Sequence, residues 1–365
     1  MKRRLAWLAG AAWLALTSGA VCAAEHPIVH VSLLTAPFST GSYVLGAALQ
    51  DISNKSKSWV RIDASESPGF IFNVKKLASD PDARRTTIVG SGKGVLALAE
   101  AGTKPFDKKY PGLKLICNYN LVALWLTTLD PHVQSVNDLA GKRVGLGRAA
   151  QINWGVEPER MLRVGWGLGP DKVSISYLGP KEAVSALLDG HVDAAILGGY
   201  MNPGDAKLVL SPQTTQFMAS GRNYHFLPWG KEQVEKTIAS GMNVIYVDLP
   251  PNAIPGVAHD MPVFADTVGW FVSADFPQDV AYEVTKLIID NVSKFAEYSA
   301  AGKLMSAKSL TYGFEPKDIA PGALKAYREA GILKSRRYYG AAPETLAILR
   351  ARLAVPPTSA PWHRP

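Results

Sequence analysis

Cysteine is almost missing from this 365-residue chain, which has only Cys22 and Cys117. A disulfide framework is therefore excluded, and the fold must be held by its core, which a chain of this length can bury. Long apolar runs are missing too. Beyond the first 20 or so residues, no segment approaches the ~20 apolar residues that a bilayer-spanning helix needs. Lysine and arginine form no cluster of the kind that grips nucleic acid; the basic residues are scattered. There is no Gly-x-Ser-x-Gly elbow, no His-Glu-x-x-His and no cysteine pair at zinc spacing, and the seven histidines stand apart. The sequence offers neither a metal site nor a constellation that covalent chemistry requires, and no cofactor is expected.

What is present begins at the N-terminus. Lys2, Arg3 and Arg4 precede an apolar stretch from Leu5 to Leu16, followed by small residues and Val21-Cys22-Ala23-Ala24-Glu25. A charged start, a short apolar core and a small-residue cleavage site make a secretory signal peptide, residues 1–24, cut after Ala24 or Ala23. A lipoprotein attached through Cys22 is disfavoured by Val21, and the Arg3-Arg4 pair hints at the twin-arginine route without supporting flanks. Of the formal charge of +8, three units belong to Lys2, Arg3 and Arg4, so the processed chain carries +5. That mild positive field suits a small anion, and equally a merely soluble surface. Cys117, in the apolar run from Leu113, reads as a buried structural thiol.

One plan then appears twice. Strand-like Val29–Leu34 leads through a Gly/Ser-rich loop to a helical pattern over Tyr43–Ile52. Strand Trp59–Ile62, helix Phe70–Ala78 and strand Thr86–Val89 follow, the last ending in Gly90-Ser91-Gly92. The second round has strand Arg143–Leu146, a helix near Glu157–Val164, strand Val173–Tyr177, helix Glu182–Leu188 and strand Val192–Leu197. Alternating strands and helices predict parallel sheets with right-handed crossovers. Two extended apolar stretches, Leu121–Thr127 and Val263–Val272, read as crossings, with the chain leaving the first lobe near Leu124 and returning near Val268. The expected division is 25–125 plus 262–354 for a discontinuous first lobe and 126–261 for the second. The first lobe would also take the helix-forming segment Gln278–Phe295. Residues 355–365, with four prolines, read as a loose tail. Two open α/β sheets hinged together leave a cleft at their strand ends, where ligands bind.

Two glycine motifs were weighed as phosphate sites. Gly145-x-Gly147-x-x-Ala150 lies between a strand and a helix, but the next strand ends Tyr177-Leu178-Gly179 with no acid to hold a ribose. Gly90-Ser91-Gly92-Lys93-Gly94 has Thr87 where a phosphate loop has its first glycine, and is better read as a strand-end turn. Candidate ligand residues come from strand ends facing the expected cleft. Ser39, Thr40, Ser42 and Tyr43 open the first helix, where hydroxyls and N–H groups hold a polar end; Ser39 or Thr40 is equally a helix cap. Trp125, Trp154 and Trp270 form an aromatic wall, or else pack in the core. Arg148, in the turn before the second-lobe helix, grips a carboxylate bidentately, or else pairs at the surface with Glu157 or Glu159.

The order of several blocks resembles the TAXI-type solute-binding proteins of TRAP transporters. They are Tyr43 to Leu49, Asp138 to Val144, Tyr177-Leu178-Gly179, Glu182-Ala183, Leu187 to Ala195, Gly199 to Pro203, Ala281 to Lys286 and Pro321 to Tyr327. The resemblance spans roughly Val29 to Ile332. It implies a two-lobed type II periplasmic-binding-protein fold, each lobe a mostly parallel sheet flanked by helices, with no catalysis. It further implies a periplasmic monomer that closes on a small organic anion, with a carboxylate, and hands it to TRAP membrane subunits driven by an ion gradient. Asn73, which falls where the family has the Asn of its second helix, joins Ser91 and Tyr200 as implied ligand residues. The Asp138–Val144 block also occurs in binding proteins of ABC importers, so that partner stays open, as does a sensory role. Two departures bear on the solute. Ser42-Tyr43 keeps one of the family's two adjacent tyrosines, and Arg148 to Trp154 replaces its Gly-Ser-Gly-Thr-type loop.

Overall fold

The computed structural model describes residues 26–202 and 207–333. The signal peptide, the tail at 355–365 and Pro203 of the Gly199 block lie outside these. The eleven strands are β1 (Val29–Leu34), β2 (Val60–Ser65), β3 (Thr87–Ser91), β4 (Leu113–Thr128), β5 (Arg143–Gly147), β6 (Ser174–Leu178), β7 (Ala194–Met201), β8 (Leu208–Leu210), β9 (His225–Leu227), β10 (Ile245–Leu249) and β11 (Met261–Ser273). The helices are α1 (Gly41–Lys55), α2 (Phe70–Ser79), α3 (Pro81–Thr86), α4 (Lys93–Ala101), α5 (Glu157–Arg160), α6 (Pro180–Leu188), α7 (Pro212–Met218), α8 (Lys231–Ala239), α9 (Gln278–Asp290), α10 (Phe295–Tyr298) and α11 (Pro321–Glu329). α5 runs on at both ends into π-helical turns, Ile152–Val156 and Met161–Gly165, so the chain is helical throughout 152–165.

The fold is α/β, as the alternation predicts, but the strands form one sheet, ordered β2-β1-β3-β11-β4-β7-β5-β6. At one end β1 pairs in parallel with β2 and β3, and at the other β5 pairs in parallel with β6 and β7. The expected crossings are the two long antiparallel strands at the centre, β4 and β11, which pair with each other from Leu113 opposite Ser273 to Leu124 opposite Phe264. Along β4, residues 121–128 also pair with β7. Along β11, Gly269–Phe271 pair with β3 and Met261–Ala265 with β10. Each long strand thus belongs to both halves. An apolar run buried on both faces has no period that separates a linker from a central strand. Two register slips in the β4–β11 ladder, beside Val268/Gly269 and Trp270/Phe271, bend the sheet where the halves meet. The short strands β8, β9 and β10 add antiparallel pairs to the second half.

Helix faces follow the apolar spacing. α1 buries Leu45, Ala48, Leu49 and Ile52, and α2 buries Ile71, Val74 and Leu77. Cys117 is buried in β4, where burial pushes its thiol far above the ordinary range.

Candidate functional site

The two halves meet over the central strands and enclose a cavity. Its walls come from the loop and helix start Ala36, Pro37, Thr40 and Ser42, from Gly69 and Phe70, and from Gln151, Ile152, Asn153 and Trp154. Tyr200 of β7 closes one side, and Val122 and Val268 form the floor. Among the described residues, no charged one lines it. The space open to the centre of a water molecule is about 30 Å³, enough for about two waters. A wider hollow of about 500 Å³ lies outside, with Pro37 and Gln151 shared between the two.

Contacts across the cleft hold the halves together. Gly41 N–H donates to Tyr200 Oη (2.8 Å) and Ile71 N–H to the Ala150 carbonyl (3.2 Å). The Gln213 amide donates to Ser39, and that of Asn202 to the Leu304 carbonyl (2.8 Å).

The polar groups around the cavity are oriented by their neighbours. Tyr200 Oη accepts from Gly41, which leaves its own proton to donate; burial raises that phenol to about 12, so it stays protonated. Ser42 Oγ accepts from Tyr119 Oη (2.9 Å), which likewise leaves the serine proton for the cavity. Gln151 Oε1 accepts from Arg148 N–H (2.8 Å), so the NH2 group is what Gln151 can offer a solute. Asn153 is the reverse. Its Nδ2 donates to Glu157 Oε2 and Asp266 Oδ2, both 3.1 Å, and the carbonyl oxygen is left over. The N-termini of α1 and α2 reach the same cavity at Thr40–Ser42 and Gly69–Phe70, and neither helix has an acid in its first turn to offset its dipole.

Local sequence explains the placement. Thr40 caps α1, accepting from Tyr43 N–H (3.3 Å) and donating to the Pro37 carbonyl (2.7 Å), while the residue also lines the cavity. Gly147 sits where a Cβ would come within 2.6 Å of Trp154 and 2.7 Å of Gln151 Oε1. Its bareness lets the helical segment from Ile152 press Trp154 and Asn153 against the strand end.

Of the ten candidate residues, Thr40, Ser42, Trp154 and Tyr200 line the cavity. Ser39 lines the outer hollow. Tyr43 lies on α1, its ring 5.1 Å from that of exposed Phe38. Arg148 lies outside the cavity. Its side chain is 62% exposed, lines only the outer hollow, and lies 3.7 Å from Glu182 rather than beside Glu157 or Glu159. Asn73 is buried as a staple, its amide donating to the carbonyls of Leu34, Thr35 and Gly90 at the ends of β1 and β3. Ser91 is buried at the end of β3, away from the lining. The aromatic wall shrinks to Trp154, because Trp125 packs against Phe226, and Trp270 between Tyr119 and Phe295. Sequence reasoning missed Phe70, Gln151 and Asn153. It also missed the buried acids behind Asn153, for which the signal was one aspartate, Asp266, in the apolar run of β11.

Residues 33–331 match the NMT1-like family. The chain belongs to that family. Solved structures of similar shape can be set beside this NMT1-like protein. MatC from Rhodopseudomonas palustris with bound malate is 11% identical, with a TM-score of 0.48, covering 83% of this chain and 97% of that one. A structure described as a periplasmic transporter is 12% identical, with a TM-score of 0.49, covering 90% and 98%. The alkanesulfonate-binding protein SsuA from Xanthomonas axonopodis pv. citri bound to MOPS is 13% identical, with a TM-score of 0.41, covering 90% and 92%. Likeness this distant carries no information about the solute of the NMT1-like chain.

Proposed function

We propose that this NMT1-like protein is an extracytoplasmic solute-binding subunit, without catalysis, that closes around a small carboxylate-bearing solute and delivers it to a membrane transporter. One observation carries the reading: an uncharged cavity between two halves, into which three oriented donors and two helix N-termini point. Donors fixed beforehand recognise an anion without the desolvation cost of a buried counter-charge. Phe70, Trp154 and Val268 supply apolar wall for the solute's carbon frame. The ligand residues of this reading are Ser42, Gln151, Trp154 and Tyr200, with Thr40 part of the wall. Arg148 guards the mouth.

The TAXI-like blocks favour TRAP membrane subunits as the partner, with the protein a periplasmic monomer. The Asp138–Val144 block equally favours an ABC importer. Uptake in cells separates the two: a TRAP partner loses transport when the ion gradient is collapsed, whereas an ABC partner follows the ATP pool.

The binding reading itself is tested by a thermal-shift screen of short carboxylic acids against neutral sugars and amines. A ligand that binds only the native state raises the melting temperature with its concentration. At least one acid is expected to do so and to be recovered chemically unchanged. A screen in which only neutral or cationic solutes stabilise the protein overturns the anion assignment, and turnover of the bound acid overturns the assignment as a carrier.

A further inference from the structure

Behind the cavity lies a pair of acids that solute binding alone does not require. Glu157 opens α5 and Asp266 lies in β11; they are 2% and 1% exposed. Both reach the same nitrogen, Asn153 Nδ2, at 3.1 Å. Asp266 also accepts from Gly94 N–H (3.2 Å) at the start of α4, on the same side as β3, which pairs with β11, whereas Glu157 and Asn153 come from the other half. Glu157 Oε1 has no hydrogen-bond partner although it is buried. Asp266 stands opposite Val122 in the β4–β11 ladder, on the sheet face that floors the cavity, two residues from Val268.

We infer that Glu157 and Asp266 share one proton in the closed molecule, and that closing the cleft takes this proton up. The resemblance and the family match say nothing of such a pair. The proposal rests on the solute-binding reading only for the motion of the two halves. Two carboxylates held on one amide in a dry site cannot both stay ionised. Burial first, and then the charge of Asp266, hold Glu157 well above the usual carboxylate range. Burial pushes Asp266 up to about 7, against the hydrogen bonds from Gly94, Asn153 and Thr267 and the more distant charge of Lys93. Of the charged groups on the packed elements, Lys93 of α4 acts on Asp266, and Asp266 acts on Glu157. When the halves part, Asp266 stays with Gly94 and leaves Asn153 and Glu157, water reaches both acids, and they ionise near their ordinary values of about 4. The closed form therefore binds more protons than the open form between about pH 4 and the raised closed-form value. Through that window each unit of rising pH lowers the closed-to-open ratio by up to about tenfold. Asn153 is the link to the solute, because the pair holds its NH2 and turns its carbonyl towards the cavity.

The test uses purified protein with no added solute. Its radius of gyration is followed by X-ray scattering from pH 5 to 8, together with the infrared carbonyl stretch of protonated carboxyl groups. The radius is expected to grow with pH as a protonated-carboxyl band fades. Glu157→Gln places a permanent N–H where the shared proton sits, so its radius should stay small and unresponsive over the same range. Asp266→Asn is the second variant, with the same expectation, should the first fold poorly. A wild-type radius that ignores pH overturns the proposal, and so does a pH response that survives in either variant. A protein that contracts with an acid from the panel yet ignores pH loses the proton link and keeps the solute-binding reading. One that answers pH but no solute does the reverse.

Discussion

Tyr200 and Arg148 separate two ways of holding an anion. Tyr200 is inside the closed cleft, its hydroxyl fixed by Gly41 and its proton unspent. A hydrogen bond to a charged group contributes about 1.5–3 kcal/mol. Tyr200→Phe should therefore weaken capture of the best acid by about tenfold to a hundredfold. Calorimetric titration reads this directly, and an affinity within twofold of wild type removes Tyr200 from the site. Arg148 faces water beside Glu182, where the pair is screened and contributes little. Arg148→Ala should leave affinity within about threefold; a loss as large as that of Tyr200→Phe would restore it as the carboxylate anchor. Trp154 is the tryptophan in the cavity wall, with Trp125 and Trp270 sealed in the core. Any ligand-dependent change in tryptophan fluorescence should accordingly vanish in Trp154→Phe.

At the scale of elements, α4 begins against the acid pair, and the glycines at its start, Gly92 and Gly94, make the approach possible. A Cβ on Gly94 would come within 2.3 Å of Glu157 Oε1 and 3.1 Å of Asp266 Oδ2. Gly94→Ala must push the helix start or the acids aside, and overpacking of this kind typically costs about 1–3 kcal/mol. Urea denaturation measures it, and an unchanged midpoint would show that α4 can slide without loss. The same segment shows where sequence reading stops. The strand, turn and helix order around Gly90–Gly94 was legible, and so was the poor match to a phosphate loop, but not what the glycines were for. That depends on Asp266, 172 residues away along the chain. Helices α1 and α2 were legible because apolar residues recur at helical spacing. The central strands were legible as extended apolar runs crossing between the halves, but not their pairing with each other in one sheet, since uniform burial erases the alternation that would show a sheet face. Trp125 and Trp154 look alike in sequence. One is packed in a doubly covered strand and the other stands on a helical turn facing the cleft. Glu157 looked like a surface acid, because nothing in its neighbourhood announces burial.

For the whole molecule, closure is the property on which the functional reading depends. The N–H groups of Gly41 and Ile71 are bonded across the cleft, to Tyr200 and to Ala150. That of Val31 lies in the β1–β2 ladder and that of Ile62 donates to Ser53 Oγ of α1 (3.0 Å), both inside one half. When the halves part, the first two amides lose their partners and meet water, while the other two keep theirs. Solute binding draws the population towards the closed form, so it must slow hydrogen exchange at Gly41 and Ile71 far more than at Val31 and Ile62. If an acid raises the closed-to-open ratio a hundredfold, the exchange governed by that opening slows by about the same factor, provided opening is fast and reversible. Exchange measured by nuclear magnetic resonance, with and without the acid found by thermal shift, resolves the individual amides. Equal slowing at all four would mean that the solute stabilises the molecule globally, with no hinge involved. No slowing at Gly41 and Ile71 would mean that it binds without closing the cleft. Only the differential pattern fits two halves that turn about the bend in β4 and β11.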